Sequence, residues 1–295
     1  MPKSEARTKN SRSDPISGTL YVVATPLGNL EDLSPRAVRM LQEVDLIACE
    51  DTRHTRKLLT HLGLDTPATS YHEHNEETEA PRLLEKLRQG QDLALVSDAG
   101  TPLLSDPGYR LVHLCREEGV NVVPVPGASA AIAALSVSGL ASDRFLFLGF
   151  LSRQNSALRE QLKQVVSIDA TLIFYVSPHR LAATLEAAAD ALGERRAFLI
   201  REMTKMYETS YYGRLEEIAS QVREESSRGE YTLVVQGAPG GAQEAAPAQI
   251  DVVAYVEGLV QARGLSKKEA IKLAAQQLGM PKREVYRIVS EGAAR

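Results

Sequence analysis

The chain has 295 residues, 43% hydrophobic and 24% charged, which calls for more than one domain and excludes a disordered chain. No apolar run approaches the ~18–20 residues of a bilayer span, and the polar start MPKSEARTKNSRSDP does not predict a secretory leader. The formal charge of −4 conceals opposite blocks, +2 over residues 1–14, +5 over 261–295 and −11 between them, so an anionic partner at the ends is not excluded. Residues 1–16 read as a flexible basic tail. From Thr19 onward, short apolar runs rich in β-branched residues alternate with helical patterns. Strands are predicted over 19–24, 45–49, 92–97, 121–125 and 145–150, with helices in RAVRMLQEV, APRLLEKLRQG and GYRLVHLCREEG between them. A second series predicts strands over 171–176, 197–202, 209–213 and 231–237, with a helix in HRLAATLEAAADALG. Near-continuous apolar strands alternating with helices indicate an α/β fold whose sheets are covered on both faces. Two α/β domains are expected, over 17–128 and 129–238.

GAPGGAQEAAPAQ has the composition of a linker, placed at 239–249. Beyond it the pattern is helical. Ser266 and Glu269 form a capping box with Leu265 as a hydrophobic staple, and Ala270, Ile271, Ala274, Ala275 and Leu278 make one apolar stripe closed by Gly279 and Pro281. Val285, Tyr286, Ile288 and Val289 follow on a second helix. Residues 250–295 thus read as a small helix-turn-helix-like domain, with Lys267, Lys268, Lys282 and Arg283 as candidate nucleic-acid contacts. A helical bundle with a solvated basic face is the competing reading. Two cysteines, Cys49 and Cys115, cannot build a disulfide framework and point to a reducing, cytoplasmic setting.

Three strand-to-helix loops carry the chemistry. Thr25-Pro26-Leu27-Gly28-Asn29 follows the first strand, where α/β sheets bind ligands; Gly28 permits close approach, and Ser34-Pro35 reads as a helix cap and first residue. The loop lacks the glycines of a dinucleotide fingerprint and the Lys of a P-loop. Residues 97–109, SDAGTPLLSDPGY, form a rigid polar loop in which Asp98 and Asp106 are candidate acceptors for an ammonium or ribose hydroxyls. VPGASAA (125–131) offers small residues and Ser129 at a helix start. His72-Glu73-His74 resembles half of a metal site but has no partner ligands at suitable spacing, so no metal is expected. Tyr207, Tyr211 and Tyr212 suit either base stacking or strand packing.

VATPLGNLEDLS, CEDTRHTRKLL, SDAGTPLLSDPG, VPGASA, SPHRL and REMTKMYE occur here in one order. In that order they resemble the ribosomal RNA small subunit methyltransferase I family, within the tetrapyrrole methylase fold, over about residues 17–240. The resemblance implies two α/β domains with S-adenosylmethionine in the cleft between them and a small C-terminal helical domain. It also implies a homodimer, and 2′-O-methylation of a cytidine ribose in the decoding region of 16S rRNA within the small ribosomal subunit. The TPLGN loop departs from the GxGPG-like loop of porphyrin-modifying members, which favours RNA over a tetrapyrrole C-methyltransferase. A non-catalytic RNA-binding ribosome-assembly factor is the third reading.

Carried over by motif, the cofactor contacts are Pro26, Leu27, Gly28, Ser97, Asp98, Ala99, Gly100, Thr101, Pro102, Leu103, Ser129, Ala130, Tyr175, Val176 and Ser177. Arg53, Arg56, Arg201 and Lys205 sit at strand ends and suit phosphate contacts. Glu202 or Lys205 is the candidate for assisting deprotonation of the ribose hydroxyl.

Overall fold

The computed structural model describes residues 17–222, 228–239, 255–256, 258–260, 266–277 and 282–292. Chain contacts group residues 1–238 into one compact unit and 239–295 into another. The basic tail, the linker at 240–249, Leu265, Leu278, Gly279 and Pro281 lie outside the described residues.

The larger unit holds two five-stranded sheets. In the first, β1 (Thr19–Val23), β2 (Leu46–Cys49), β3 (Ala68–Ser70), β4 (Leu93–Val96) and β5 (Asn121–Val125) run in the order β3-β2-β4-β1-β5, with every pairing parallel. Alternation sends Leu93 and Leu95 to one face and Ala94 and Val96 to the other. The first face is covered by α3 (Glu76–Arg88) and α4 (Tyr109–Glu117), the second by α1 (Pro35–Glu43) and α2 (Thr52–Leu62). Each fully buried leucine on these faces contributes about 1.5–3 kcal/mol. Ser34 caps α1 by accepting from the Ala37 amide at 3.1 Å.

The second sheet is mixed. It comprises β6 (Phe145–Phe150), β7 (Thr171–Val176), β8 (Arg196–Arg201), β9 (Thr209–Arg214) and β10 (Tyr231–Val235), in the order β6-β7-β10-β8-β9. Only β6 and β7 pair in parallel; β10 runs antiparallel between β7 and β8. One face packs on α6 (Asn155–Gln164), α7 (Leu181–Leu192) and α8 (Leu215–Val222). The other packs on α5 (Ala130–Val137), through Ala131, Ala134 and Leu135 against Ile173, Phe198, Ile200 and Val234.

Three local features differ from the sequence reading. The strand β3 is an edge of three residues, too short for its alternation to register. Helix α6 is polar along most of its length, burying only Leu158 and Leu162. Helix α3 begins at Glu76 rather than near Pro81, because the acidic turn Glu76, Glu77 and Glu79 favours a helix N-terminus and the proline is accommodated inside it.

The smaller unit contains α9 (Lys267–Gln277) and α10 (Lys282–Gly292), packed through Ala270, Ile271, Ala274, Val285 and Val289. The capping box is formed: the Ser266 amide donates to Glu269 Oε2 at 3.0 Å, and the Glu269 amide to Ser266 Oγ at 3.4 Å. Lys267, Lys268, Lys282 and Arg283 are all exposed. Among the described residues no helix is long and apolar enough to cross a membrane, and no cluster of three His, Cys, Asp or Glu side chains is placed to hold a metal.

Candidate functional site

The loops at the carboxyl ends of β1, β4 and β5 are tied into one wall. Thr25 and Gly100 exchange backbone hydrogen bonds of 2.8 and 3.1 Å, and Thr25 Oγ1 donates to the Ser97 carbonyl at 3.1 Å. Thr101 Oγ1 donates to the Ala128 carbonyl at 2.9 Å. Within this wall Gly100 (φ +81°) is left-handed, and so are two residues that are not glycine, Leu103 (φ +73°) and Ser105 (φ +71°). Such non-glycine conformations cost about 1–3 kcal/mol each, and they cluster where a loop is shaped for a ligand.

Between this wall and the ends of β6, β7 and β10 lies a cavity of about 530 Å³. The first lobe supplies Leu27, Asp98, Ala99, Gly100, Thr101, Leu104, Ser105 and Asp106; the second-sheet lobe supplies Ala130, Phe150, Arg153, Tyr175, Val176, Ser177, Arg180, Glu230 and Tyr231 among others. Nine of the expected cofactor residues therefore line one space: Leu27, Asp98, Ala99, Gly100, Thr101, Ala130, Tyr175, Val176 and Ser177.

The other six do not line it. Ser97 is buried, its hydroxyl directed at the Ala99 and Gly100 carbonyls. Pro102 is buried, and Leu103 packs under Gly108, where a Cβ would come within 2.9 Å of Leu103 Cδ1. Pro26 is half-buried beside Leu27, and Gly28 lies beneath the Lys205 stem. Ser129 is the N-cap of α5, but its buried Oγ has no hydrogen-bond partner.

Three carboxylates reach the cavity. Asp98 Oδ1 accepts from the Asp51 amide at 3.2 Å, and Glu230 holds Lys205 Nζ at 2.9 Å. Asp106 forms no ion pair among the described residues. Burial, then the charges of Glu50, Asp98 and Glu230, push its carboxyl up to about 6 against the opposing hydroxyl of Ser97. Burial and Asp98 likewise raise Glu50, and burial raises Tyr175.

Glu202 and Lys205 do not line the cavity. Lys205 Nζ is held by Glu202 at 3.1 Å as well as by Glu230. Burial works against both charges, but the bond to Lys205 and the Glu230 amide outweigh it for Glu202, whose pKa falls. The two carboxylates outweigh it for Lys205, whose pKa rises. Both groups are thus fixed as ions, and a protonated ammonium has no site for another proton. The Glu202 carboxylate keeps lone pairs that can accept a proton, and its lowered pKa makes it a weaker base.

The other cations are scattered. Arg53 is exposed and pairs with Asp51 at 2.7 Å, where Asp51 caps α2. Arg56 is exposed on the same helix, and Arg201 is half-buried with its Cζ 5.9 Å from the Tyr231 ring centre. Sequence reasoning passed over Phe150 and Arg153, which end and follow β6 without a conspicuous motif, and Arg180, which sat unassigned in SPHRL.

Residues 19–219 match the family model for Tetrapyrrole (Corrin/Porphyrin) Methylases. Proteins named ribosomal RNA small subunit methyltransferase I match over nearly the whole chain. That of Halalkalibacterium halodurans is 48% identical over 92% of this chain and 94% of its own. That of Escherichia coli O157:H7 is 45% identical over 96% and 98%. This chain belongs to the ribosomal RNA small subunit methyltransferase I family, within the tetrapyrrole methylases. The fold of this family member is also similar to that of diphthine synthase (TM-score 0.59, 18% identity, 75% of this chain and 90% of that one). A uroporphyrin-III C-methyltransferase from Thermus thermophilus, complexed with S-adenosyl homocysteine, superimposes with a TM-score of 0.54 at 21% identity, over 74% and 97% of the two chains.

Proposed function

We propose that the chain transfers a methyl group from S-adenosylmethionine to the 2′-hydroxyl of a cytidine in 16S rRNA of the small ribosomal subunit. The observation that carries this reading is the 44–48% identity, over nearly full length, to relatives named for small-subunit rRNA methylation. The cavity fits the cofactor. Asp98 and Asp106 offer negative charge to a group bearing an ammonium and a sulfonium, Ala99, Gly100 and Ala130 leave room for a flat ring, and the unpartnered Ser129 Oγ lies next to Ala130. When bound, S-adenosylmethionine supplies an electrophilic methyl on its sulfonium.

The chain's own task is alignment and removal of one proton. Alignment of bound reactants supplies roughly 7–11 kcal/mol in ideal cases. Asp106 is the proton acceptor in this reading: it reaches the cavity, makes no ion pair among the described residues, and its pKa of about 6 leaves it ionised but basic near neutral pH. Lys205 and Glu202 brace the wall behind Gly28. On the smaller unit, Lys267, Lys268, Lys282 and Arg283 contact RNA phosphates, and on the larger unit Arg53, Arg56 and Arg201 do so separately. The enzyme works in the cytoplasm. It does so as a homodimer, supported by the exposed apolar side chains of Ile132 and Val137 on α5 and of Phe145 on the β6 edge.

Incubation of methyl-labelled cofactor with 30S subunits, naked 16S rRNA and a porphyrinogen tests the assignment. Label is expected in the RNA of the subunit, released as a 2′-O-methylcytidine on digestion. Label in the porphyrinogen alone overturns the RNA reading, and binding of RNA without any transfer overturns the enzymatic one.

A further inference from the structure

On the second-sheet side of the cavity, Arg180 is half-buried. Its Nη2 donates to Asn155 Oδ1, but its Nε is buried with no hydrogen-bond partner. Arg153, exposed, lines the same space. Among the described residues neither guanidinium forms an ion pair, although Asp98 and Asp106 line the opposite wall. A buried guanidinium N–H left without an acceptor is unfavourable, and an anion presented in its plane would satisfy it with a forked hydrogen bond. Beside the two arginines, Phe150 is 57% exposed. Its ring is 5.5 Å from that of Tyr175, which in turn meets Phe147 at 5.0 Å, so the aromatic side chain is supported from behind.

We propose that Arg153, Arg180 and Phe150 form a subsite for single-stranded RNA, the guanidiniums taking a backbone phosphate and the Phe150 ring stacking on a base. The proposal rests on the reading of RNA as substrate and gives that substrate a place in the cavity. A cofactor carboxylate would also satisfy Arg180, but it would leave Arg153 and the exposed ring without a role. Two cations next to a supported aromatic is the arrangement by which proteins hold a single strand, with charge on the backbone and a ring against a base. The cavity then presents Asp98 and Asp106 on one lobe to a cationic cofactor and the two guanidiniums on the other to an anionic strand, the Glu230 carboxylate on that second lobe being held by Lys205.

The test uses full-length Arg153→Ala, Arg180→Ala and Phe150→Ala. Affinity for S-adenosylmethionine is read by calorimetry, and affinity for a short single-stranded oligoribonucleotide by anisotropy over a series of salt concentrations. Each variant is expected to bind the oligonucleotide about tenfold more weakly. Each arginine variant should flatten the log Kd against log salt slope by about 0.7, whereas Phe150→Ala should leave the slope unchanged. Cofactor affinity should stay within about twofold of wild type. Arg153 is exposed, so its variant reads the subsite independently of folding. Wild-type RNA affinity and salt slope in all three variants overturn the proposal. A loss of cofactor affinity in the arginine variants also overturns it, by assigning the guanidiniums to the cofactor carboxylate. Wild-type protein that neither binds the oligonucleotide nor methylates 30S subunits fails the parent reading instead.

Discussion

A Cβ on Gly28 would stand 2.3 Å from Cγ of Lys205. The lysine stem crosses the glycine while its ammonium spans Glu202 and Glu230, and the Asn29 amide donates to Thr204 Oγ1 at 3.2 Å. The first loop of one lobe is thereby latched to the loop after β8 of the other. In that second loop Glu202 (φ +52°) and Thr204 (φ +66°) are both left-handed.

Gly28→Ala is expected to destabilise the protein by about 1–3 kcal/mol, because the added methyl must push aside a side chain held by two carboxylates. Adding Lys205→Ala should remove most of that penalty, giving a strongly non-additive cycle in denaturant melts. Additive costs would locate the strain elsewhere.

Thr25→Val keeps the shape of a buried side chain but deletes its bond to the Ser97 carbonyl. An acceptor left buried without its donor costs about 1–3 kcal/mol. Part of that cost should appear as looser closure of residues 97–101 and weaker S-adenosylmethionine binding, by about tenfold in calorimetry. Unchanged cofactor affinity would mean that the bridge supports the fold alone.

Asp106 has a folded pKa of about 6 against the ordinary 3.8 of an aspartate, so folding favours its protonated form. Its contribution to stability is fully present below the unfolded value and is lost as pH rises through about 6. Asp106→Asn should therefore melt at a higher temperature than wild type above about pH 7, and the difference should vanish near about pH 4. The same variant should lose about 10²–10⁴-fold in methyl-transfer rate. Wild-type rate should fall as pH drops below about 6, because the acceptor is then already protonated. A wild-type rate in Asp106→Asn would remove it from the reaction.

Residues 1–238 form a compact unit that contains the whole cavity. A chain ending there is expected to fold and to bind S-adenosylmethionine with unchanged affinity. Its RNA affinity should weaken, and its salt slope should flatten by about 0.7–0.9 for each phosphate that the missing cations no longer neutralise. A truncated chain with full RNA affinity at all salt concentrations would assign the exposed Lys267, Lys268, Lys282 and Arg283 to solubility.

The strands of both lobes were legible because most are apolar runs bounded by turn residues, and β1, β5, β6 and β7 fall within a residue of their expected bounds. The edge β3 and the polar α6 were not, since three residues carry no period and α6 sets only two buried leucines among polar residues. At the site, SDAGTPLLSDPG was conspicuous because its glycines and prolines encode a backbone shape that the structure realises at Gly100, Leu103 and Ser105. Which of its side chains face the cavity was not encoded in that spelling: Ser97 turns inward to brace the loop, while Asp106 turns to the space. Glu202 and Lys205 were chosen for their chemistry at a strand end; their mutual ion pair, invisible in sequence, holds the lysine as an ammonium and makes the glutamate a weaker base.

The sheet order carries a consequence for biosynthesis. The first sheet has all its strands once Val125 has been made, but the second lacks its central member until β10, at Tyr231–Val235, has left the exit tunnel. Until then β7 and β8 have no common neighbour to join them, and Glu230 and Tyr231 are missing from the cavity wall. The nascent chain therefore presents a finished first lobe and an unclosed second one for much of its translation, and the cavity is among the last parts of the larger unit to be assembled.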